Sequence, residues 1–290
     1  MCCLRCCRQL SSLYFRVCEG RDLDNIKYIV AVASGKGGVG KSTTAANLAL
    51  AMKNAGWKTG LLDADIYGPS QQLMMGVDET TQPRQQGDKY MLPVMAHGIA
   101  TMSMGYLVNA RTPMVWRGPM AGGALAQMLA QTLWGELDCL LVDMPPGTGD
   151  IQLTLSQKAR LAGAVIVTTP QDIALLDARK GIEMFRKVDV PVLGVIENMA
   201  EHVCSHCGHK EPIFGQGGAA RLAAKYQTPL LGSLPLLRQI REDMDRGMPS
   251  VLAEPDSEIA NLYDRIARQL MQELEQQQVA APPTLSIVDD

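Results

Sequence analysis

Residues 33–43 of the chain, ASGKGGVGKST, combine glycines, two lysines and hydroxyl side chains, which are residue types that bind phosphate. Gly35, four further residues and then G-K-S at positions 40–42 fit the G-x-x-x-x-G-K-[ST] pattern. Glycines let backbone N–H groups approach phosphate oxygens, a lysine brings positive charge to the β- and γ-phosphates, and a serine hydroxyl can coordinate Mg²⁺. The segment therefore predicts a nucleotide site with Mg²⁺, formed by Gly35, Lys36, Gly37, Gly38, Val39, Gly40, Lys41, Ser42 and Thr43.

Three aspartates follow apolar runs that a sheet could place beside this loop. TGLLDADIYGPS puts Asp63 and Asp65 after one run, and CLLVDMPPGTGD ends another run with Asp143. Ligands of open α/β sheets bind at the carboxyl ends of the strands, so we expect these carboxylates near the nucleotide. Asp143 is predicted to hold the Mg²⁺ shell together with Ser42, and Gly147 lies on a loop that could sense the γ-phosphate. Asp63 has a second interpretation, as a helix cap or structural hydrogen-bond acceptor.

A further group of reactive residues, NMAEHVCSHCGH at 198–209, contains Cys204 and Cys207 in a C-x-x-C arrangement. Two thiolates are half of the four ligands that a structural zinc or a four-iron cluster requires. His202, His206 and His209 surround the pair, and we interpret them as surface or outer groups rather than ligands. Because both metals accept thiolates, the spacing alone leaves zinc and an iron–sulfur cluster open.

The composition favours a globular protein and argues against two function classes. The chain has 290 residues, of which 47% are hydrophobic and 20% charged, and its net charge is −3. A nucleic-acid-binding protein would carry a clear basic excess, and no apolar run approaches the roughly 18–20 residues of a membrane span. We therefore expect neither a nucleic-acid nor a membrane partner. Five of the eight cysteines lie before residue 20, which does not resemble a disulfide framework.

Strand-like and helix-like segments alternate along the chain, which predicts an α/β fold with a mostly parallel sheet and helices on both faces. The strand candidates are nearly continuous apolar runs, as expected where both faces of a sheet are covered. The predicted strands are residues 27–34, 59–65, 139–144, 164–169, 190–197 and 229–235. The predicted helices are residues 42–55, 120–134, 150–161, 172–187, 215–226 and 256–277.

The domain organisation is expected to be simple. One nucleotide-binding domain should span residues 27–275, with an inserted hairpin near 80–116 and a C-x-x-C loop near 198–214. Residues 1–26 are expected to be a poorly defined leader, for which a mitochondrial presequence is the alternative. Residues 276–290 are polar and Pro-containing and should form a flexible tail. The cytoplasm is the expected compartment.

The stretch from about 27 to 275 resembles the Mrp/ApbC-type iron–sulfur cluster carrier ATPases, which are MinD/ParA-related P-loop proteins with a deviant phosphate loop. The motifs that carry the resemblance are VASGKGGVGKST, DADIYGPS, VWRGPM, LVDMPPGTGD, TTPQDIALLDARKG, IENM, CSHCGH, IFGQGGA and LPLLRQIREDMDRGMP. The resemblance implies a P-loop ATPase fold and a homodimer that binds ATP. It also implies a labile [4Fe–4S] cluster that the protein passes to apo iron–sulfur proteins.

The resemblance further implies roles for individual residues. Lys36 would reach the nucleotide of the partner subunit, Lys41 would bind phosphates, and Asp65 would orient the attacking water. These three are the expected catalytic residues of an ATPase that is slow without a trigger. Asn198 and Pro235 match the positions on the adenine side.

For the thiolate pair, the resemblance implies a cluster that bridges two subunits. Cys204 and Cys207 of both chains would supply four ligands near a twofold axis. The alternative is a ParA/MinD-like positioning switch on DNA or membrane, with a structural zinc at the C-x-x-C. A nitrogenase-type reductase would need a cysteine near DMPPGTGD, which contains none. The N-terminal CCLRCC does not match the family's four-cysteine spacing, and we assign it no metal.

Overall fold

The computed structural model describes residues 22–280, apart from 67, 108–117, 150, 151, 154, 157 and 158. The first 21 residues with their five cysteines, the end of the segment predicted as an insertion, and residues 281–290 lie outside the described part. What we predict for them from the sequence stays a prediction.

Among the described residues, strands and helices alternate as the apolar runs predict. The strands are β1 (Ile26–Ala33), β2 (Thr59–Asp63), β3 (Gln85–Gln86), β4 (Tyr90–Met91), β5 (Val94–Ala96), β6 (Ile99–Ser103), β7 (Leu137–Asp143), β8 (Gly163–Thr168), β9 (Val192–Glu197), β10 (His202–Val203), β11 (Lys210–Glu211) and β12 (Leu230–Ser233). The helices are α1 (Lys41–Asn54), α2 (Gln71–Met74), α3 (Gly118–Gln131), α4 (Asp172–Lys187), α5 (Gly218–Tyr226), α6 (Arg238–Asp245), α7 (Ser250–Ala253) and α8 (Glu258–Ala280). Short 3-10 turns cover Asp22–Asn25 and Met104–Tyr106.

The main sheet has eight strands in the order β12-β9-β8-β1-β7-β2-β6-β5. All neighbouring strands are parallel except β5, which pairs antiparallel with β6 at the sheet edge. Two small antiparallel pairs, β3–β4 and β10–β11, lie outside this sheet. The predicted fold class, a mostly parallel sheet in a P-loop fold, is confirmed.

Helices cover both faces of the sheet because its strands are apolar on both sides. In β1, Ala31 packs into one core cluster with α3, α4 and α5, whereas Val30 and Val32 pack into a second cluster with α1 and α8. Alternate residues of a strand point to opposite faces, so one apolar run serves both cores. No helix among the described residues is long and apolar enough to cross a membrane.

The strand order brings the sequence motifs together at one edge of the sheet. β1 lies between β7 and β8, and β7 lies between β1 and β2. In the register of these strands Asp143 pairs with Val32 on one side and with Asp63 on the other. The loop after β1 and both carboxylates therefore lie together at the carboxyl ends of the strands, where open α/β sheets bind ligands.

Several boundaries differ from the sequence-based expectation. β2 ends at Asp63 instead of residue 65, and α5 begins at Gly218 instead of residue 215. The segment expected to hold a hairpin contains two paired units, β3–β4 and β5–β6, and β6 joins the main sheet. Helix α8 continues to Ala280, into the segment expected to be a tail.

Candidate functional site

The glycine-rich loop between β1 and α1 is shaped by close backbone contacts. A Cβ on Gly35 would overlap the main chain of Asp177 in α4, so the loop can pass this helix only without a side chain. Gly40 has φ 78°, a left-handed conformation that favours glycine. A Cβ there would overlap the amide of Asn198. The loop geometry thus accounts for two of the glycines in the motif.

The loop leads into the N-terminus of α1, which begins at Lys41. Ser42 and Thr43 lie half-buried in its first turn, and no acidic residue stands there. The first N–H groups of a helix lack intrahelical partners and carry a partial positive charge, which favours an anion. This end of α1, with the loop in front of it, has the features of a phosphate site.

Lys41 and Asp143 form a buried ion pair at the centre of the site. The Lys41 side chain is 6% exposed and the Asp143 side chain 0%. Lys41 Nζ also donates to Ser42 Oγ at 3.2 Å. The Ser42 hydroxyl and the Asp143 carboxylate therefore lie near the same ammonium group. Hard oxygen donors of this kind are the ligands that Mg²⁺ prefers, so the residues present fit a Mg²⁺ ion.

Asp63 is fully buried and accepts four hydrogen bonds. The donors are the backbone N–H groups of Asp65, Ser70 and Gln71 and the hydroxyl of Ser103, at 3.0–3.1 Å. Burial, and then the nearby Asp143 charge, raise the pKa of Asp63 from 3.8 to about 7. These contacts support the interpretation of Asp63 as a structural acceptor, which folds the chain after β2 and caps the start of α2.

Asp65 and Lys36 lie at the rim of the site, each with contacts in its own chain. Asp65 is half-buried and its Oδ1 accepts from the N–H of Gly68 at 3.3 Å. Lys36 Nζ donates to Gln171 Oε1 at 3.3 Å, just before α4. The roles expected for both residues stay predictions.

Gln71 belongs to the site although its sequence context gave no signal for it. Its Nε2 donates to Asp143 Oδ2 at 2.8 Å and to the carbonyl oxygen of Ser42 at 3.0 Å. The residue is the first of α2 and is 1% exposed. Glutamine has no motif of its own, and only the fold brings this position to the other two residues.

The loop after β7 closes one side of the site. Gly147 donates its N–H to the carbonyl oxygen of Ser34 at 3.0 Å and has φ 97°. Next to it, Pro146 approaches Gly37, where an added Cβ would lie 4.0 Å from the proline Cβ. Gly147 is therefore near the phosphate loop, as the sequence predicts, and its proposed sensing role is untested.

Asn198 and Pro235 line a cavity of about 260 Å³ next to the phosphate loop. Gly40 and Thr43 form the loop side of this cavity, and residues from α6 form the opposite side. Asn198 Nδ2 donates to the carbonyl oxygen of Val39 at 2.8 Å, so the asparagine also supports the loop itself. The position beside the phosphate loop suits the expected adenine-side residues.

Cys204 and Cys207 lie on the turn of the β10–β11 hairpin. The N–H of Cys204 donates to the carbonyl oxygen of His209, and the N–H of Gly208 to that of Cys204, both at 2.9 Å. Cys204 is half-buried, Cys207 is exposed, and both thiols are free. Hydrogen bonds from the backbone N–H groups of Cys207 and His206, then from the Cys207 side chain, lower the pKa of the Cys204 thiol. The turn therefore stabilises a thiolate.

The histidines of this segment do not complete a metal site within the chain. Among the residues that the structure describes, no group of three or more His, Cys, Asp or Glu side chains could hold a metal ion. One chain therefore offers two thiols at the hairpin. Cys139, by contrast, is buried in β7, and burial raises the pKa of its thiol.

A short main-chain ladder joins the hairpin to the adenine-side loop. The N–H of Leu236 donates to the carbonyl oxygen of Glu201 at 2.8 Å, and the N–H of Ala200 to that of Leu234 at 2.9 Å. Lys210 of β11 forms an ion pair with Glu201 at 3.1 Å and lies 3.9 Å from Glu258 of α8. Residues 200–203, which lead to Cys204, are thus hydrogen-bonded to residues 234–236, which include Pro235 of the cavity.

Comparisons with known proteins agree with this geometry. The family model of the ParA-type NUBPL iron-transfer P-loop NTPases matches residues 25–271. The iron-sulfur cluster carrier protein of Pseudomonas fragi is 62% identical over 245 residues, which are 84% of this chain and 85% of the relative. These matches confirm the resemblance that the sequence motifs predict.

Solved structures extend the agreement to the fold. A nucleotide-binding protein of Archaeoglobus fulgidus, in complex with ADP and with Co, aligns with a TM-score of 0.71 and 37% identity over 83% of this chain and 94% of its own. The cell division ATPase MinD of Pyrococcus furiosus aligns with a TM-score of 0.63 and 22% identity over 85% and 99%. The second likeness concerns the fold alone.

Proposed function

We propose that this chain, which belongs to the NUBPL iron-transfer family of ParA-type P-loop NTPases, is an ATP-dependent carrier of iron–sulfur clusters. Its cargo is a labile [4Fe–4S] cluster, which it passes to apo iron–sulfur proteins. One observation carries the proposal: Cys204 and Cys207 stand on a turn whose N–H groups favour a thiolate, and the described part of the chain adds no third ligand.

The incomplete ligand set supports a homodimer. A four-iron cluster takes four cysteine ligands, and one chain offers two at this hairpin. In a twofold dimer identical residues meet only near the axis, so the hairpin of a second subunit facing the first would supply the other two ligands. Cys207 is exposed, as a ligand that must meet a second subunit needs to be. A cluster held between subunits can be released when the subunits separate.

The proposed ATPase chemistry uses the residues around the phosphate loop. Lys41 would exchange its bond to Asp143 for the β- and γ-phosphates, and Ser42 and Asp143 would hold Mg²⁺, which neutralises charge on the phosphates when bound. Asp65 would orient the attacking water. Lys36 would leave its contact with Gln171 to reach the nucleotide of the second subunit.

Nucleotide state is proposed to control the hold on the cargo. The ladder between residues 200–203 and 234–236 connects the adenine-side loop to the hairpin, which supports a coupling between the two sites. Such coupling requires that ATP and ADP favour different arrangements of the hairpins. Equal rates of cluster transfer with ATP, with ADP and without nucleotide would contradict it.

The proposed compartment is the cytoplasm, which provides the reducing environment that thiols holding a labile cluster need. We propose apo iron–sulfur proteins as partners and expect neither nucleic acid nor membrane as a ligand. The positioning-switch alternative gives Cys204 and Cys207 only a structural zinc, which would need the same four thiolates from two hairpins, so the content of zinc, iron and sulfide decides between the two.

Anaerobic reconstitution with iron and sulfide tests the proposal. We expect about four iron and four sulfide per dimer, the content of one [4Fe–4S] cluster. Cys204→Ala and Cys207→Ala should each abolish cluster retention and leave nucleotide binding intact. Cys139→Ala, a buried thiol in β7, is the matched control and should retain the cluster.

Two outcomes would contradict the proposal. One is purified protein that holds stoichiometric zinc and takes up no sulfide. The other is a protein that stays monomeric under anaerobic conditions with nucleotide bound. In either case a nucleotide-dependent switch without cargo would be the better description.

A further inference from the structure

Gln71 connects three segments of the nucleotide site that are far apart in the sequence. Its backbone N–H donates to Asp63 Oδ2 at 3.1 Å. Its side-chain Nε2 donates to Asp143 Oδ2 at 2.8 Å and to the carbonyl oxygen of Ser42 at 3.0 Å. One residue therefore contacts the phosphate loop helix, the end of β2 and the end of β7.

The orientation of the Gln71 amide is fixed by these acceptors. Both partners of Nε2 are oxygens that carry no hydrogen, so they can only accept, and the reversed amide would set Oε1 against the Asp143 carboxylate. In this orientation Oε1 is buried and meets no hydrogen-bond donor among the described residues. The side chain is 1% exposed, so bulk water does not solvate this oxygen.

Asp143 is held by two different donors. Lys41 pairs with Oδ1, and Gln71 donates to Oδ2. The two donors differ in what they can do when nucleotide binds. Lys41 is the residue that the phosphates attract, whereas the neutral Gln71 has no charge to bring to them. Gln71 is therefore the donor that can keep the carboxylate oriented when Lys41 turns away.

We propose that Gln71 is a positioning residue for Mg²⁺, which fixes the Asp143 carboxylate through Nε2 and offers Oε1 to a hydrogen-bond donor that arrives with the Mg²⁺-nucleotide. This inference rests on the proposed nucleotide function. Groups that orient a metal ligand by hydrogen bonding typically change metal affinity about 10–100-fold when they are removed. Gln71 should therefore affect the Mg²⁺ requirement more than the affinity for nucleotide itself.

The test is a titration of the full chain with a fluorescent ATP analogue, once in EDTA and once over a series of Mg²⁺ concentrations. Gln71→Met keeps the length of the side chain and removes its amide, both the Nε2 donor and the Oε1 acceptor. We expect the Mg²⁺ concentration for half-maximal enhancement of binding to rise about tenfold. Affinity in EDTA should change much less, within about twofold, because no residue of the phosphate loop is replaced and only the bond to the Ser42 carbonyl oxygen is lost beside it.

Two further variants keep the test decisive. Gln71→Asn retains an amide that is one methylene too short to reach Asp143, and it should give the same shift even if the methionine variant folds poorly. Gln72→Met is the control: Gln72 is the next residue, and its amide bonds to the carbonyl oxygen of Asp78 at the surface. Its Mg²⁺ dependence should equal that of the wild type. Thermal unfolding in EDTA shows which variants are folded.

The outcomes separate this inference from the proposed function. Wild-type Mg²⁺ dependence in both Gln71 variants would overturn the inference alone. So would an equal loss of affinity with and without Mg²⁺, because a merely structural role of Gln71 predicts that result. A wild-type chain that binds no Mg²⁺-nucleotide would overturn the proposed function, and this inference with it.

Discussion

Removal of the Lys41 ammonium should destabilise the protein even when no nucleotide is present. Lys41 and Asp143 are both buried, and Asp63 lies beside Asp143 in the neighbouring strand. Lys41→Met keeps most of the apolar stem but leaves the Asp143 carboxylate without its cation. Asp143 then stands next to a second buried acid. This variant therefore tests whether the ion pair stabilises the protein in the absence of nucleotide.

The expected cost follows from burial. Breaking a buried ion pair by removal of one partner typically costs about 3–5 kcal/mol, because the other charge stays desolvated. The Gln71 amide still donates to Asp143, so we expect a value near the lower end, about 3 kcal/mol. Asp143→Asn should cost a similar amount by stranding the ammonium. The double variant removes both charges and should lie within about 1 kcal/mol of the wild type, since replacing a whole buried pair is often neutral.

Urea unfolding of the nucleotide-free protein in EDTA, followed by circular dichroism, measures these free energies. The absence of nucleotide matters, because a ligand that binds only the folded state adds its own stability. Lys58→Met serves as control: it breaks the exposed pair Lys58–Glu136, whose side chains are 66% and 83% exposed. Exposed pairs contribute about 0–1 kcal/mol, so this variant should change little.

Two results would refute the reasoning. A loss below about 1 kcal/mol in Lys41→Met would mean that the ammonium does not compensate a buried charge. A double variant as unstable as the sum of the two single variants would mean that Lys41 and Asp143 are not coupled. Nucleotide binding is expected to be lost whenever Lys41 is replaced, so restored stability without restored binding would separate the two roles of the pair.

Two more predictions concern the phosphate loop and the buried acid. Gly35→Ala should destabilise the nucleotide-free protein by about 3 kcal/mol in the same urea assay, because its Cβ overlaps the backbone of α4. Gly37→Ala, whose Cβ meets only Pro146 at 4.0 Å, should cost less than about 0.5 kcal/mol, and equal costs would contradict the steric argument. The pKa of Asp63 is raised from 3.8 in the unfolded chain to about 7 in the folded state. Between these two pH values the folded state keeps a proton that the unfolded state releases. The contribution of Asp63 to the free energy of unfolding should therefore fall progressively as the pH rises from 3.8 to about 7. The difference in unfolding free energy between wild type and Asp63→Asn over this range measures the effect, and a difference that does not change with pH would contradict it.

The sheet, the phosphate loop and the two strand-end acids could be predicted because each depends on local sequence. Continuous apolar runs predict buried parallel strands. The carboxyl ends of such strands lie at one edge of the sheet, whatever the length and sequence of the connecting loops. The G-K-S triplet at positions 40–42 and Asp143 can be identified as site residues from the local sequence alone. The thiol pair can also be identified from the sequence, although its spacing does not distinguish zinc from an iron–sulfur cluster.

Other features depend on contacts between distant residues, which local patterns do not contain. β2 ends at Asp63 because the N–H groups of Asp65, Ser70 and Gln71 turn toward its carboxylate. Helix α5 starts late because Gly215 and Gly217 hold positive φ angles, 101° and 66°, which extend the loop. Gln71 reaches the site only because the chain after β2 turns back, so that the first residue of α2 bonds to Asp143 at the end of β7. Helix α6 is not among the predicted helices, because its eight residues are shorter than the windows of about 11–18 residues in which apolar periodicity is read.

The central position of β1 affects how readily different parts of the molecule open locally. A strand with partners on both sides and cores on both faces opens only with the whole sheet, so its amides should exchange with solvent as slowly as global unfolding allows. The β10–β11 hairpin has two residues in each strand and lies outside that sheet, so its amides should exchange faster than those of β1. Local opening should therefore require less free energy at the hairpin that carries Cys204 and Cys207 than at β1, which leads into the phosphate loop. The bonds between residues 200–203 and 234–236 are then the main-chain connection through which an opening of the hairpin would reach the cavity beside the phosphate loop.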